Sequence, residues 1–529
     1  MNPKPVLQRK KIFSPSFRKV FGQLALSSLL LTLAFPKVDW WLLAWVGLIP
    51  LLIVLDGRRP AAAFGLAYLS GVLFFGGTLY WFIHVTILGA ILLVLVLAFY
   101  YGIFGWAYTR FSKRKLFVKL LVIPSVWVGL EYLRAHLFTG FGWASLGYSQ
   151  YKNFFVNQIA DVTGVYGVSF LVVMVNVWLK EIWQAHDHKK RFTAKEFLSS
   201  EGKFVIGILI SCVVYSYYRL SVVPLGDSIR VTVVQGNIPQ SVKWEPRAWP
   251  SIMEKHLFLT RQATHERPVE GRGPYGTLRS DLIIWPETAF PGFRWQDPRR
   301  FESLKEFVAE QKIPLLLGLI TGEGQTYYNS AMLISENGEV IEQYNKLHLV
   351  PFGEYIPFRK NFPFLEDIVP IDDFTAGGEY TVFTLGPPEK FKNRPNKFAT
   401  VICFEDGVSE IARRFVQKGA DFLINITNDA WFWDTKAPFM HLQSSVFRAI
   451  ENRRAVIRSA NTGVSCFIDS WGRISNFVQE ATKKTFVSGV ASGRVRLSRE
   501  DALYTKLGDI FTYLCFGCIL WGIISKKVK

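Results

Sequence analysis

Long apolar runs, separated by short polar segments, fill the first 225 residues. A helix that crosses a bilayer needs roughly 20 apolar residues. Runs near 18–35, 40–56, 61–82, 85–109, 116–134, 166–183 and 203–221 fit that length, and an eighth lies at 505–525, "TKLGDIFTYLCFGCILWGIIS". From Ser228 the period changes. "IRVTVVQ" (229–235), "LIIW" (282–285), "LLLGLI" (315–320), "NSAMLI" (329–334), "EVIEQY" (339–344), "FATVIC" (398–403) and "FLINI" (422–426) read as strands. Between them, Phe301, Leu304, Phe307 and Val308 share one helical face, as do Val408, Ile411, Ala412, Phe415 and Val416. Strands apolar on both faces are covered on both sides or packed sheet on sheet. The pattern therefore predicts a polytopic α-helical bundle of eight spans carrying a layered α/β domain.

Composition agrees with a membrane protein: 50% of the 529 residues are hydrophobic and 15% are aromatic. The formal charge of +19 matters through its placement. Basic residues crowd the N-terminal tail (Lys10, Lys11, Arg18, Lys19), Arg58–Arg59, "TRFSKRK" (109–115), "HKKRFTAK" (188–195) and "KKVK" (526–529). The alternate loops "PKVD" (36–39), "HVT" (84–86) and 135–165 are nearly free of them. By the positive-inside rule both termini are cytoplasmic, and the stretch 222–500 lies on the other side. The charge is then a topological signal, and no nucleic-acid partner is expected. The first run has the basic start of a signal peptide, but its length and the spans behind it favour an uncleaved anchor. Expected domains are a bundle at 1–221, an outer domain at 222–500 and a last span with its tail at 501–529.

Three features of the bundle invite over-reading. Cys515 and Cys518 have CxxC spacing but sit in an apolar span, and "HDH" (186–188) sits in a basic loop without further ligands. The Gly- and aromatic-rich loop "FTGFGWASLGYSQ" (138–150) suits a membrane interface, where it would line a lipid entrance.

In α/β folds, reactive groups collect beyond the carboxyl ends of strands. Three strand ends carry unusual residues: Glu287 in "DLIIWPETAF", Lys346 in "VIEQYNKLHLVPFGEYIP", and Cys403 with Glu405 in "FATVICFED". Each has an ordinary reading, as a turn carboxylate, a surface lysine and a packing cysteine. Outside the cytoplasm Cys403 could instead pair with Cys466.

Taken together, Glu287, Lys346 and Cys403 resemble the Glu-Lys-Cys triad of the nitrilase superfamily. "WPET", "NKLHLVPFGEYIP", "ICFED" and "NITNDAWF", behind a bundle and before one last span, resemble the apolipoprotein N-acyltransferase family of the bacterial inner membrane. The resemblance covers essentially the whole chain. Phe404 stands where the family is associated with Tyr, which keeps the ring and loses the hydroxyl.

The resemblance implies a periplasmic α-β-β-α sandwich. It also implies transfer of an acyl chain from a phospholipid to the α-amine of an S-diacylglyceryl-cysteine at an apolipoprotein N-terminus. Glu287 would be general base, Cys403 nucleophile, and Lys346 with the Phe404 N–H the oxyanion donors. Glu354 would position Lys346, Glu405 would brace the cluster, and Trp244 would lie near the acyl chain. No metal or organic cofactor is implied, and a monomer is expected. The aromatic loop Trp431–Trp433 suits contact with lipid. Two other readings compete: a membrane-tethered nitrilase-type amidase acting on small molecules, and a transporter with an outer binding domain. The transporter reading is weakened by the lack of an internal repeat and by few ionisable residues in the spans, Glu131 and Glu181 near their ends.

Overall fold

A computed structural model describes residues 15–189, 197–222, 227–264, 279–323, 326–357, 359, 361, 373–386 and 396–525. The basic positions Lys10, Lys11, 190–195 and 526–529 lie outside the described residues.

Five helices in the bundle are long and apolar enough to cross a membrane: Pro60–His84, Ile87–Phe111, Leu116–His136, Asn157–Ala185 and Ser200–Ser221. A further helix, Pro15–Leu33, opens the described chain. Large apolar side chains stay exposed along Ile87–Phe111, among them Ile87, Leu88, Ile91, Leu92, Val96 and Phe99. Such a belt suits lipid rather than water. The helix Ala160–Lys189 instead runs through the packed centre, with Val168, Val172, Val173 and Met174 fully buried, and it is interrupted at Gly164 (φ +64°). Its C-terminal end takes in the stretch 186–188.

Two of the expected spans differ from single long helices. The run 40–56 is broken into Trp41–Leu43, Ala44–Gly47 and Ile49–Leu55. Asn176 of the central helix fills the break. Its Oδ1 accepts from Leu48 N at 2.8 Å and its Nδ2 donates to Ala44 O at 2.8 Å. Irregular backbone at membrane depth persists only where protein supplies such partners. The run 505–525 is divided at Gly508 (φ +62°) into Leu503–Leu507 and Ile510–Ile524. The first piece is held by the α/β domain, with Gln417 Nε2 donating to Thr505 O at 2.8 Å.

Beyond the bundle lie two six-stranded sheets. The first has the order β12-β1-β2-β3-β4-β5, with β1 Ser228–Gln235, β2 Leu282–Ile284, β3 Leu315–Glu323, β4 Thr326–Ile334, β5 Val340–Asn345 and β12 Gly489–Arg496. The second has the order β11-β10-β9-β8-β7-β6, with β6 Phe383–Leu385, β7 Asn396–Ile402, β8 Phe422–Thr427, β9 Ala455–Ala460, β10 Cys466–Ile468 and β11 Ile474–Ser475. In each sheet three central strands run parallel (β1, β2, β3 and β7, β8, β9), and the outer ones pair antiparallel.

The period-2 pattern explains the layering. Val231, Val233, Leu282, Ile284, Leu316, Ala331 and Leu333 face the second sheet in one core. Their alternates Val234, Ile283, Leu315, Leu317, Met332 and Ile334 pack on the helices Trp249–Thr264 and Pro298–Gln311 in another. The helices Ser409–Gln417 and Ala437–Asn452 cover the far side of the second sheet. The architecture is the expected α-β-β-α sandwich on a helical bundle.

The helix Ala437–Asn452 is buried on nearly every side because it lies between sheet and bundle. Glu451 Oε1 accepts from Val165 N at 3.0 Å, and Arg453 bridges to Asp161 at 2.7 Å and Gln158 at 2.7 Å. The loops poor in basic residues all touch the α/β domain: Lys37 pairs with Asp434 at 3.2 Å, His84 stacks on Trp433 at 5.7 Å, and Trp143 lies 5.4 Å from Phe404. At the other end, Arg114 of a basic loop donates to Ser525 O at 2.6 Å.

Candidate active site

The strand β7 ends at Ile402, one residue earlier than the apolar run suggests. Cys403 instead opens a 3-10 turn, Cys403–Gly407, with φ +52°. A left-handed cysteine is strained, and such strain persists only where the surroundings hold it. Two donors do so: Asn425 Nδ2 and His441 Nε2 each lie 3.0 Å from the Cys403 carbonyl oxygen. All five cysteines are free thiols, so the alternative pairing of Cys403 with Cys466 is ruled out. Cys466 is fully buried on β10, next to Arg458.

Glu287 follows β2 by way of Trp285 and Pro286, and its turn rests on β3. Gly318 gives the room: a Cβ there would lie 2.6 Å from the Glu287 Cα and 2.5 Å from Thr288 N. Lys346 follows β5 directly, its N–H bonded to Asn329 O at 2.9 Å. Thus two strand ends of the first sheet and one of the second meet between the layers.

The polar contacts are short and buried. Lys346 Nζ pairs with Glu354 Oε2 at 2.7 Å. Asn329 Nδ2 donates both to Glu287 Oε1 at 2.7 Å and to Glu354 Oε1 at 2.8 Å. Burial alone would lower the Lys346 ammonium, but Glu354, Cys403, Glu287 and Glu405 together push its pKa up. Lys346 is a permanent cation here. Burial is also the main influence on Cys403 and, with the Glu287 charge, drives its thiol well above the ordinary range despite Lys346. The resting sulfur is therefore a neutral thiol, and a base must remove its proton as it reacts.

Glu405 ties the two sheets together. Its Oε1 accepts from Tyr344 OH at 2.8 Å, Leu347 N at 2.7 Å and His348 N at 3.1 Å, and its Oε2 accepts from Ile402 N at 2.7 Å. Burial raises its carboxyl to about 7, against the pull of Lys346 and these donors. Glu354 holds the loop after Lys346 as well, accepting from Val350 N at 2.8 Å. Phe404 projects into an aromatic group made by Trp143 at 5.4 Å, His348 at 6.1 Å and Phe141 at 6.4 Å. The 138–150 loop of the bundle thus packs directly on the residue after Cys403. Phe138 at its tip is 91% exposed, as are Trp431 (46%) and Trp433 (64%) in part. Trp244 is 41% exposed at the end of the short helix Gln240–Lys243.

Several residues here escape a sequence reading. Asn329, which bridges the two carboxylates, is one of two polar residues that open the run "NSAMLI". Lys243 is buried beside Trp244 and donates to the Glu287 carbonyl oxygen at 3.0 Å. Burial lowers its pKa to about 8, with Glu287 and Cys403 opposing. Behind Cys403 stands a fully buried group of His441, Asp406, Asp429 and Arg458. His441 Nδ1 lies 2.9 Å from Asp429 Oδ1, and Arg458 pairs with Asp406 at 2.8 Å. Asp429 lies within the "NITNDAWF" motif, and Asp406 closes "ICFED"; both show as motif acids with no hint of their partners.

Comparison with known proteins matches residues 27–178 to the apolipoprotein N-acyltransferase N-terminal domain and residues 230–500 to carbon-nitrogen hydrolase. The chain is 36% identical over 517 residues to an apolipoprotein N-acyltransferase of Geobacter metallireducens, covering 94% of this chain and 93% of that one. It is 34% identical over 464 residues to the Methylococcus capsulatus protein of the same name, covering 84% and 85%. Among solved structures, an amidase of the nitrilase superfamily from Nesterenkonia AN1 is similar at 18% identity and a TM-score of 0.38, covering 56% of this chain and 100% of the amidase.

Proposed function

We propose a residue-level reaction for this chain, which belongs to the apolipoprotein N-acyltransferase family, is a multi-pass membrane protein and N-acylates lipoproteins. Phospholipid is the acyl donor and the diacylated apolipoprotein the acceptor. In the first half-reaction Glu287 takes the Cys403 proton as sulfur attacks the ester carbonyl. The oxyanion is held by the Lys346 ammonium and the Phe404 N–H. The lysophospholipid leaves with the proton from Glu287, and a thioester remains on Cys403. In the second, Glu287 takes a proton from the α-amine of the S-diacylglyceryl-cysteine as it attacks the thioester. Collapse forms the amide, and the Cys403 sulfur departs and recovers the proton.

The observation that carries this reading is electrostatic. One buried ammonium, Lys346, feels both the Glu287 carboxylate and the Cys403 sulfur, while the thiol rests protonated beside that carboxylate. A neutral thiol, an adjacent base and a permanent cation are what base-assisted thiol attack on an ester needs. Glu354 positions Lys346 and Glu405 braces the two strand ends. Trp244 and the loops 138–150 and 431–433 border the lipid route.

For topology the reading is eight spans with both termini cytoplasmic and a periplasmic catalytic domain. Its support is the charge distribution, together with the contacts of the loops at 36–39, 84–86 and 138–150 with the catalytic domain. The division falls at 1–221, 222–500 and 501–529, and the working unit is a monomer.

The test is a mass measurement. Incubated with phospholipid and no acceptor, the enzyme gains one acyl mass on the Cys403 peptide. Cys403→Ala gains none, and Glu287→Gln forms the adduct about 10³-fold more slowly, as for loss of a general base. An equal adduct in Cys403→Ala would defeat the mechanism. Turnover of soluble amides with no lipid adduct would favour the small-molecule amidase reading instead.

A further inference from the structure

The backbone at Cys403 is gripped from behind. Its carbonyl oxygen accepts from Asn425 Nδ2 and from His441 Nε2, each at 3.0 Å. The other ring nitrogen, Nδ1, lies 2.9 Å from Asp429 Oδ1. A carbonyl and a carboxylate oxygen are both acceptors only, so both ring nitrogens must donate. A neutral imidazole carries one N–H, hence His441 is an imidazolium. Two acids stand around it: Asp429 on Nδ1, and Asp406, whose Oδ1 is 3.0 Å from Nε2. Arg458 neutralises these acids, at 2.8 Å from Asp406 and 3.7 Å from Asp429, and Ser445 donates to Asp406. The Trp143 ring closes the remaining side at 5.4 Å. His441 titrates near 9: burial alone would lower it, but the two carboxylates raise it past the opposing Arg458.

The gripped carbonyl belongs to a peptide with two ends. In a trans peptide the C=O of residue 403 and the N–H of residue 404 lie in one plane and point in opposite directions. A clamp on the Cys403 oxygen therefore aims the Phe404 N–H the opposite way. That N–H lies in the first turn of the 3-10 segment, where helices leave donors without intrahelical partners, and it has no acceptor among the described residues. Hydrogen bonds accepted at the oxygen also polarise the peptide and strengthen its N–H as a donor.

We infer that His441, as an imidazolium, and Asn425 are positioning residues for the oxyanion hole, clamping the Cys403–Phe404 peptide so that its N–H meets the developing oxyanion. The inference rests on the reading of Cys403 as nucleophile and of the Phe404 N–H as oxyanion donor.

Two reactions of one sulfur separate this role from general support of the fold. Acyl transfer passes through an oxyanion. Alkylation of the same thiol by iodoacetamide displaces iodide at a saturated carbon and forms none. Full-length enzyme in detergent is given either phospholipid or iodoacetamide, and the Cys403 peptide is followed by mass. His441→Leu and Asn425→Ala slow acylation by about tenfold to a hundredfold, less than loss of an oxyanion donor outright, while alkylation stays within about twofold. His441→Leu strands two buried aspartates beside Arg458. Asn425→Ala leaves every charge in place and decides the matter if His441→Leu does not fold. Equal losses in both reactions, or unchanged acylation in the folded variants, would overturn the inference. A wild-type enzyme that takes no acyl group on Cys403 would remove the underlying reading of the nucleophile, a result distinct from either.

Discussion

Two groups of buried charge flank the same sulfur, and they are built to different rules. In front, on the first sheet and its loops, Glu287, Lys346, Glu354 and Asn329 share few bonds among many charges: one amide bridges both carboxylates, and one ammonium pairs, among the described residues, with Glu354 alone. Behind, on the second sheet and its covering helix, Asp406 and Asp429 are matched by His441 and Arg458, two anions to two cations. The rear group is closed and neutral. It can hold geometry but has nothing to exchange with a substrate. The front group has a carboxylate and an ammonium that both feel the sulfur, and in the proposed reaction protons and charge move there. Distance from the sulfur does not separate the two, since His441 touches the backbone of Cys403 itself. The state of pairing does.

The largest effect expected from breaking this contrast is at Lys346. If Lys346 is the proposed oxyanion donor, Lys346→Met lowers acyl-enzyme formation by about 10²- to 10³-fold. The Glu354 carboxylate is also left without its cation in a buried site, a situation that destabilises by about 3–5 kcal/mol. Adding Glu354→Gln removes that stranded charge. The double variant should regain most of the lost thermal stability and none of the lost rate. Melting temperature and adduct rate, measured on single and double variants, separate the two roles. Recovery of rate in the double variant would mean that Lys346 acts only through the fold.

Lys243 tests the same contrast from the other side, because it is a buried cation with no ion pair among the described residues. It donates to the Glu287 carbonyl oxygen at 3.0 Å, and burial lowers it to about 8. The fold therefore penalises its charged form. An unfolded lysine titrates near 10.5, so the penalty is present in full below about pH 8 and fades between 8 and 10.5 as the unfolded chain alone keeps the proton. Lys243→Met should raise stability at pH 7 by up to about 3 kcal/mol and leave it nearly unchanged at pH 10.5. If Lys243 supports Glu287, the same variant slows the acyl-enzyme step. A gain in stability with a loss in rate is the signature of a residue kept for function. Melting curves at the two pH values and the adduct rate at pH 7 check both halves.

The front group was largely legible in the sequence, and the rear group was not. Glu287, Lys346 and Cys403 each end an apolar run, and Glu354 and Glu405 belong to quotable motifs. The expected strands from "IRVTVVQ" to "FLINI" and both amphipathic helices match the fold because burial on one face leaves a period that can be counted. The rear depends on neighbours remote in the chain. Strand β9, "AVIRSA", is hard to read from sequence because Arg458 interrupts its apolar period, and what makes that arginine tolerable is Asp406, 52 residues earlier. Strand β12, "GVASGRVR", is rich in glycine and arginine and carries little pattern of its own; pairing along the whole of β1 defines it. The broken helix at 41–55 is of the same kind, since its break is satisfied by Asn176.

Phe404 gives the smallest effect and the finest test. Its backbone N–H belongs to the proposed oxyanion hole, whereas its ring belongs to the packing of the bundle loop on the catalytic domain. Near that ring, Trp143 Nε1 is buried without a hydrogen-bond acceptor among the described residues. A Cβ on Gly407 would lie 3.3 Å from that nitrogen and 3.8 Å from Phe404 Cε2, so indole and ring edge are close neighbours. Phe404→Tyr places a hydroxyl oxygen at that edge, where it can accept from the indole N–H. A hydrogen bond of this kind contributes about 1 kcal/mol, to be read as a rise in melting temperature. Because the peptide N–H is untouched, the adduct rate should change by less than about threefold, under 0.7 kcal/mol. In a Trp143→Phe background the stabilising effect of Phe404→Tyr should vanish, since the donor is gone. A rate that instead moved with the hydroxyl would put the Phe404 side chain, and not only its backbone, among the groups that meet the reacting carbonyl.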